Sequence, residues 1–258
     1  MNIQLLASRE DTAGMNISQF IRSHLQNRIS IVDEISIFSD QSITKVTPSN
    51  ASVIYLSRHS AQSLRPSLTV HPIGNFGTAE FGGRDDTLVT CHSFLMKRLL
   101  LNIRDLMTSR EYDLGFDYEI SLEVTHHGPF AKPSVVFIEV GSSEPQWNDF
   151  EACRLIADAV NNSQFDNLSQ GSEWVSVIGF GGNHYATKFT RYTLESEYAF
   201  GHICAKYAIP HLTPDSIHQM ISKTSPTPEL VLFDKKGMKQ KQQIRSWLAE
   251  FDIETKQI

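Results

Sequence analysis

The sequence is short of the features that would commit it to several large protein classes. Cysteine occurs three times, at Cys91, Cys153 and Cys204, far apart and never as C-x-x-C. Neither a disulfide framework nor a Cys-rich zinc knuckle is expected; each cysteine reads as a small buried residue on a helix. No apolar stretch approaches the roughly 18 residues that span a bilayer, and the apolar run near the N-terminus lacks a cleavable-signal pattern. A cytoplasmic protein without membrane contact is expected. Internal repeats and low-complexity linkers are missing, so residues 1–258 read as one domain. The motifs G-x-x-x-x-G-K-[ST], H-E-x-x-H and G-x-S-x-G do not occur. Excess basic charge is missing too: a net charge of −6 argues against a general nucleic-acid coat protein. It leaves room for tRNA, because a local basic patch acts within about one Debye length. Two patches qualify, Lys235, Lys236, Lys239, Lys241 with Arg245, and Lys97, Arg98, Arg104 with Arg110. A solvated helix face is the alternative for each.

What is present is an alternation of two element types. Residues 2–7, 51–57, 68–71, 118–125, 134–140, 174–180 and 229–233 read as strands. Helices are expected after the first strand, with Ile17, Phe20, Ile21 and Leu25 at helical spacing, and near 91–109, 148–160, 195–206, 215–223 and 238–250. Buried strands alternating with helices imply an α/β fold, a mixed, mostly parallel sheet with helices on both faces. Sites in such sheets form at the carboxyl ends of strands.

Polar clusters follow several of these strands. Glu123, Thr125, His126 and His127 precede Gly128-Pro129, which stops the strand and lets adjacent histidines bind a metal or divide acid and base roles. Glu139 closes a buried apolar run, where a carboxylate needs a histidine, a metal or donors. The Gly141-Ser142-Ser143 turn that follows could offer N–H groups to an oxyanion, or cap a helix. Gly181, Gly182, Asn183, His184 and Tyr185 form a third cluster, with glycines that let a ligand approach the backbone. His59, in Ser57-Arg58-His59-Ser60, and His71, followed by Gly74-Asn75, are weaker candidates. His202 sits on an expected helix, and His24, His92, His211 and His218 read as structural or exposed.

Together these stretches resemble the D-aminoacyl-tRNA deacylase family of archaeal and plant type. The resemblance rests on Leu68-Thr69-Val70-His71 with Gly74-Asn75, Thr125-His126-His127-Gly128-Pro129, Glu139-Val140-Gly141-Ser142 with Gln146-Trp147, and Gly181-Gly182-Asn183-His184-Tyr185. Gly201-His202-Ile203, Lys206-Tyr207 and Asp234-Lys235-Lys236-Gly237 extend it, over roughly residues 52–245. Thr187 and Ala205 depart from the pattern, each standing where a proline is usual; the first 50 residues carry little family signal.

The resemblance implies a fold similar to peptidyl-tRNA hydrolases and nucleoside phosphorylases, and hydrolysis of the ester joining a D-amino acid to a tRNA acceptor end. It also implies zinc, with His126, His127, His184 and Glu139 as candidate ligands. A histidine among His126, His127 and His184 is expected to act as base, with Glu123 or Glu139 orienting it. His59, His71, Asn75, Gly141, Ser142, Gly181, Gly182, Asn183, Tyr185, Lys235 and Lys236 are expected to contact substrate. A monomer is expected, with a dimer left open. The competing readings are a related hydrolase acting on peptidyl-tRNA or a nucleoside, and a tRNA-binding protein without catalysis.

Overall fold

The structure is a computed structural model that describes residues 1–168, 173–235 and 240–258. In chain order its strands are β1 (Ile3–Ser8), β2 (Ile29–Val32), β3 (Ser52–Ser60), β4 (Ser67–Pro72), β5 (Cys91–His92), β6 (Glu119–Leu122), β7 (Ser134–Ser142), β8 (Val175–Phe180), β9 (Tyr198–Cys204), β10 (Thr224–Ser225), β11 (Leu230–Phe233) and β12 (Glu254–Gln257). The helices are α1 (Thr12–Gln19), α2 (Ser23–Gln26), α3 (Asp40–Val46), α4 (Ser93–Ser109), α5 (Glu144–Trp147), α6 (Phe150–Asn161), α7 (Thr187–Glu195), α8 (Pro214–Ser222) and α9 (Lys241–Leu248).

Among the described residues, six strands form one sheet in the order β2-β1-β3-β7-β4-β6, and four form a second in the order β12-β11-β8-β9. Every pairing is parallel except β4 with β7. The expected mixed, mostly parallel architecture holds, divided between these two sheets, with β5 and β10 as a separate parallel pair. Alternation explains the layering. Val136, Ile138 and Val140 of β7 join Ile54 and Leu56 in a core that also takes in residues of α1, α4 and α6. Val135 and Phe137 face the other way, with Val53, Tyr55 and Ile43 of α3. In the second sheet, Ile178, Phe180, Val231 and Phe233 pack under Ile217 and Met220 of α8 and Ile244 and Leu248 of α9.

Local chemistry fixes the helix starts. Asp11 caps α1 by accepting from Gly14 N–H at 2.8 Å, and Asp149 caps α6 by accepting from Glu151 and Ala152 N–H. Thr213 and Ser216 cap each other's backbone ahead of Pro214 in α8.

One expected helix is a strand. Residues expected to be helical near 195–206 form β9, while the helix, α7, comes just before. All seven residues of β9 are buried, and a run buried all round has the same hydrophobic pattern in either conformation. Pairing with β8 decides it. His202 and Cys204 therefore lie on a strand, as does Cys91 on β5; only Cys153 is helical, although all three cysteines are buried as expected. Lys97 of the second expected basic patch is 2% exposed, so it belongs to no surface patch.

Candidate active site

Strand alternation builds the site. On β3 the face that carries Val53 and Tyr55 continues with Ser57 and His59. On β7 the face that carries Val135 and Phe137 continues with Glu139, and the antiparallel β4 sets Thr69 opposite Glu139 and His71 opposite Phe137. The face is apolar where the Tyr55 and Phe137 rings stack 4.7 Å apart, and polar beyond. Past β6 the chain keeps an extended course, with Glu123 N–H donating to the Val70 carbonyl at 3.2 Å. It also joins the second sheet there: Glu123 bridges Tyr185, Val124 N–H donates to His184, and Thr125 N–H donates to Ile203. This seam carries His184 and Tyr185 to Glu123. His127 has φ 47°, in the left-handed region, and the turn brings both His126 and His127 to the cleft wall.

Glu123 is fully buried. Its Oε2 lies 2.8 Å from His184 Nε2 and 3.5 Å from His126 Nε2, and its Oε1 lies 3.1 Å from His59 Nδ1. Neither oxygen receives a well-directed hydrogen bond despite these short approaches. Burial alone would raise its pKa; the His184 contact and then the charges of His59 and His71 outweigh that and hold it well below the usual carboxylate range. Glu139 Oε2 lies 3.4 Å from His59 Nδ1 and 3.6 Å from His71 Nε2. It too is held low, the two histidines overcoming its burial. His59 is the cation of the cluster. Burial opposes its charge, but the Glu139 contact and the charges of Glu123 and Glu139 push its pKa up to about 10. Its Nε2 meets the Tyr185 hydroxyl at 2.8 Å.

Three histidines form a second group. A backbone carbonyl only accepts, so the ring nitrogen facing it carries the proton. His71 Nδ1 donates to Pro72 at 3.1 Å, His126 Nδ1 to Val124 at 2.8 Å and His127 Nδ1 to Gly128 at 2.5 Å. His126 and His127 are left with a bare Nε2, while His71 Nε2 faces Glu139. One donor atom from each of the three lies within 4.8 Å of the others, and His71 Nε2 is buried without a hydrogen-bond partner. Burial, then the neighbouring histidines, drive His127 down to about 3 and His126 well below its ordinary value, so both are neutral. His71 is raised by Glu139. Glu123, His59 and His184 form another grouping able to hold a cation, and His71, Glu123 and Glu139 a third.

The cluster opens into a cleft of about 570 Å³, lined among others by Arg58, His59, Asn75, His126, His127, Glu139, His184 and Tyr207. A smaller cavity of about 300 Å³ adjoins it through Asn75, His126 and Tyr207, and reaches Phe76 and His211. The segments expected to converge do so: His127, Glu139 and His184 share one cavity. His71 sits in the floor rather than at the substrate's edge. Asn75 both lines the cleft and braces its loop, its Nδ2 donating to Gly82 O at 2.9 Å. Gly141, Ser142, Gly181, Gly182, Asn183 and Tyr185 are not among the lining residues. Gly181 N–H is already given to Cys204, and Gly141 is held inside the β3–β7 pairing. Lys235 is exposed after β11, whose last residue pairs with the last of β8; Lys236 lies outside the described residues. The sequence reading missed residues 35–37, Thr78, Glu80 and Phe81 in the cleft wall, and gave His211 no place in a cavity. A phenylalanine among the glycines of 74–83 was the available signal.

A family model described as D-aminoacyl-tRNA deacylase matches residues 46–256. The chain belongs to this deacylase family. A D-aminoacyl-tRNA deacylase of Staphylothermus marinus is 40% identical over 186 residues, 71% of this chain and 66% of the relative. One from Methanococcus maripaludis is 37% identical over 231 residues, covering 86% of both, and one from Archaeoglobus fulgidus 30% over 259 residues, 91% of this chain and 87% of the relative. Among solved structures, the crystal structure of a conserved protein of unknown function superposes with a TM-score of 0.86 at 28% identity, over 99% of this chain and 95% of the other. The seam between the sheets and the histidine trio fall within the deacylase match, as does the cleft apart from residues 35–37.

Proposed function

We propose that this deacylase hydrolyses the ester between a D-amino acid and the 3′ end of tRNA, releasing both. The observation that carries the reading is the gathering of His59, His71, His126, His127 and His184 with Glu123 and Glu139 around one cleft, in a chain of this family. Hydrolysis needs a base for water, an acid for the departing ribose oxygen, and a site that excludes bulk solvent.

His184 is placed for the proton transfers. It lies in the cleft wall, 37% exposed, with Nε2 against Glu123. With Nε2–H turned to the carboxylate, Nδ1 is the accepting nitrogen. Water adds to the ester carbonyl carbon as Nδ1 takes its proton. The carbon–oxygen bond to the ribose then breaks, and the same proton passes to the departing hydroxyl. Glu123 fixes the ring tautomer and steadies the imidazolium. His59, donating to Glu139 and Tyr185, holds the carboxylates apart from solvent and from each other's repulsion. The trio of His71, His126 and His127 fits zinc, since imidazoles with Nδ1 tied to carbonyls are a donor set that zinc enzymes use, His71 giving up its Nε2 proton on binding. Zinc held there supplies Lewis acidity toward the ester carbonyl.

Turnover of D-tyrosyl-tRNA and L-tyrosyl-tRNA, measured side by side with and without chelator, tests the reading. The D ester alone should be cleaved, and chelation should abolish cleavage until zinc is restored. Equal turnover of both esters removes the chiral reading; chelator-resistant turnover removes zinc.

A further inference from the structure

More than half of the large apolar side chains left exposed among the described residues lie at the cleft. Ile35, Phe38, Val46, Leu64, Phe81, Phe150 and Tyr207 are each more than a third exposed. Of these, Ile35, Phe81 and Tyr207 line the cleft, and Phe38 adjoins it: a Cβ placed on Gly82 would lie 3.2 Å from the Phe38 ring. An apolar rim around a polar floor marks a binding surface.

The rim is also held rigidly. Gly128 N–H donates to the Phe81 carbonyl at 3.0 Å, and Asn75 Nδ2 to that of Gly82 at 2.9 Å. A Cβ on Gly82 would stand 1.9 Å from the Ile37 carbonyl oxygen, and one on Gly128 would stand 2.3 Å from Gly83 N. Three backbone segments thus meet where only glycine fits. The 64%-exposed Phe81 ring is therefore held outward by a fixed backbone. Positive charge lies alongside. Arg58 lines the cleft, and Arg84 stacks over Phe130 at 3.7 Å; neither forms a salt bridge among the described residues.

We infer that Phe81 and Phe38 form a stacking platform for the unpaired bases that precede the terminal ribose of tRNA, with Arg58 and Arg84 facing the strand's phosphates. The inference rests on the reading that aminoacyl-tRNA is the substrate. A single strand whose 3′ ester reaches the histidine floor has to leave the cleft across its rim. Aromatic faces bind successive bases without reading sequence, as an enzyme serving many tRNAs requires. A docked protein would instead favour a broad apolar face over a narrow rim around a polar pocket.

The test uses the full chain as wild type, Phe81→Ala, Phe81→Leu, Phe81→Trp and Phe38→Ala. Each is assayed on D-tyrosyl-tRNA and on the D-tyrosyl ester of adenosine, and titrated with a fluorescent single-stranded RNA ending in CCA. Phe81→Ala and Phe81→Leu should lower the tRNA-to-adenosine-ester ratio of kcat/KM by about 5- to 100-fold, mainly through KM, and weaken RNA binding similarly. Phe38→Ala should act in the same direction, and Phe81→Trp should restore both. An unchanged ratio with unchanged RNA binding overturns the platform, as does full rescue by Phe81→Leu, which keeps apolar area without a planar ring. Wild-type protein that binds this RNA through Phe81 yet leaves D-tyrosyl-tRNA intact would sink the functional reading while keeping the platform.

Discussion

Two buried charges in this protein have opposite fates. Lys97 on α4 is 2% exposed, and its ammonium donates to the carbonyls of Thr193, Ser196 and Tyr198. Lysine has three donors and no acceptor, so its hydrogen-bonding capacity is complete. It ties the end of α7 to the start of β9. Glu123 is buried as deeply, yet its two oxygens are approached by three imidazoles without a well-directed hydrogen bond. A satisfied charge is a structural tie; a buried carboxylate held ionised by several groups of tunable charge, beside a cleft, has the pattern of a functional site. Glu123 also touches His126 and His184 in the cleft wall.

That contrast can be broken by experiment. Substituting Glu123→Gln should lower kcat by about 10²- to 10⁴-fold with only a modest fall in melting temperature, since the carboxylate is held ionised by its histidines; a large drop in melting temperature with normal kcat per folded molecule would make Glu123 structural after all. His127→Ala should cost about 10²-fold or more in kcat/KM, together with bound zinc in metal analysis. A full zinc complement in that variant would remove His127 from the ligand set. Lys97→Met should do the reverse of Glu123→Gln. Three carbonyls lose their donor, and about 2–5 kcal/mol of stability should disappear in denaturant titrations with kcat kept.

The smallest expected effect is on pH dependence. His59 has a folded pKa near 10, above the unfolded value of about 6.5. Its contribution to stability is therefore complete below about pH 6.5 and fades as pH rises toward 10. Glu123 and Glu139, held below the carboxylate range, act with the opposite sign: their contribution is complete above about pH 4.3 and fades as acid protonates them. Melting curves of wild type and His59→Gln between pH 6.5 and 10 should show a shallower decline in the variant. Parallel curves would mean that His59 is not the charged partner.

Much of the site was legible in the one-dimensional pattern. Polar residues directly after apolar strands marked Glu123, His126, His127, Glu139 and His184, because alternation must end in polar side chains where a strand leaves its core. Other members were harder to see. His71 looked peripheral because residues 68–71 read only as a short strand; the antiparallel pairing of β4 with β7 places it beside Glu139. Residues 35–37 carry no motif, and reach the cleft only because Gly82 and Gly128 admit their backbone.

By itself the sequence determined the strand–helix alternation, the chemical types of the site residues and the resemblance to the deacylase family, since these depend on near neighbours along the chain. The tertiary structure alone decided that 198–204 is a strand, that the sheet divides in two, and that His71 completes a trio with His126 and His127. Those outcomes depend on pairing between distant segments, and a continuously buried run or a single histidine has the same local signature whichever partner it finds.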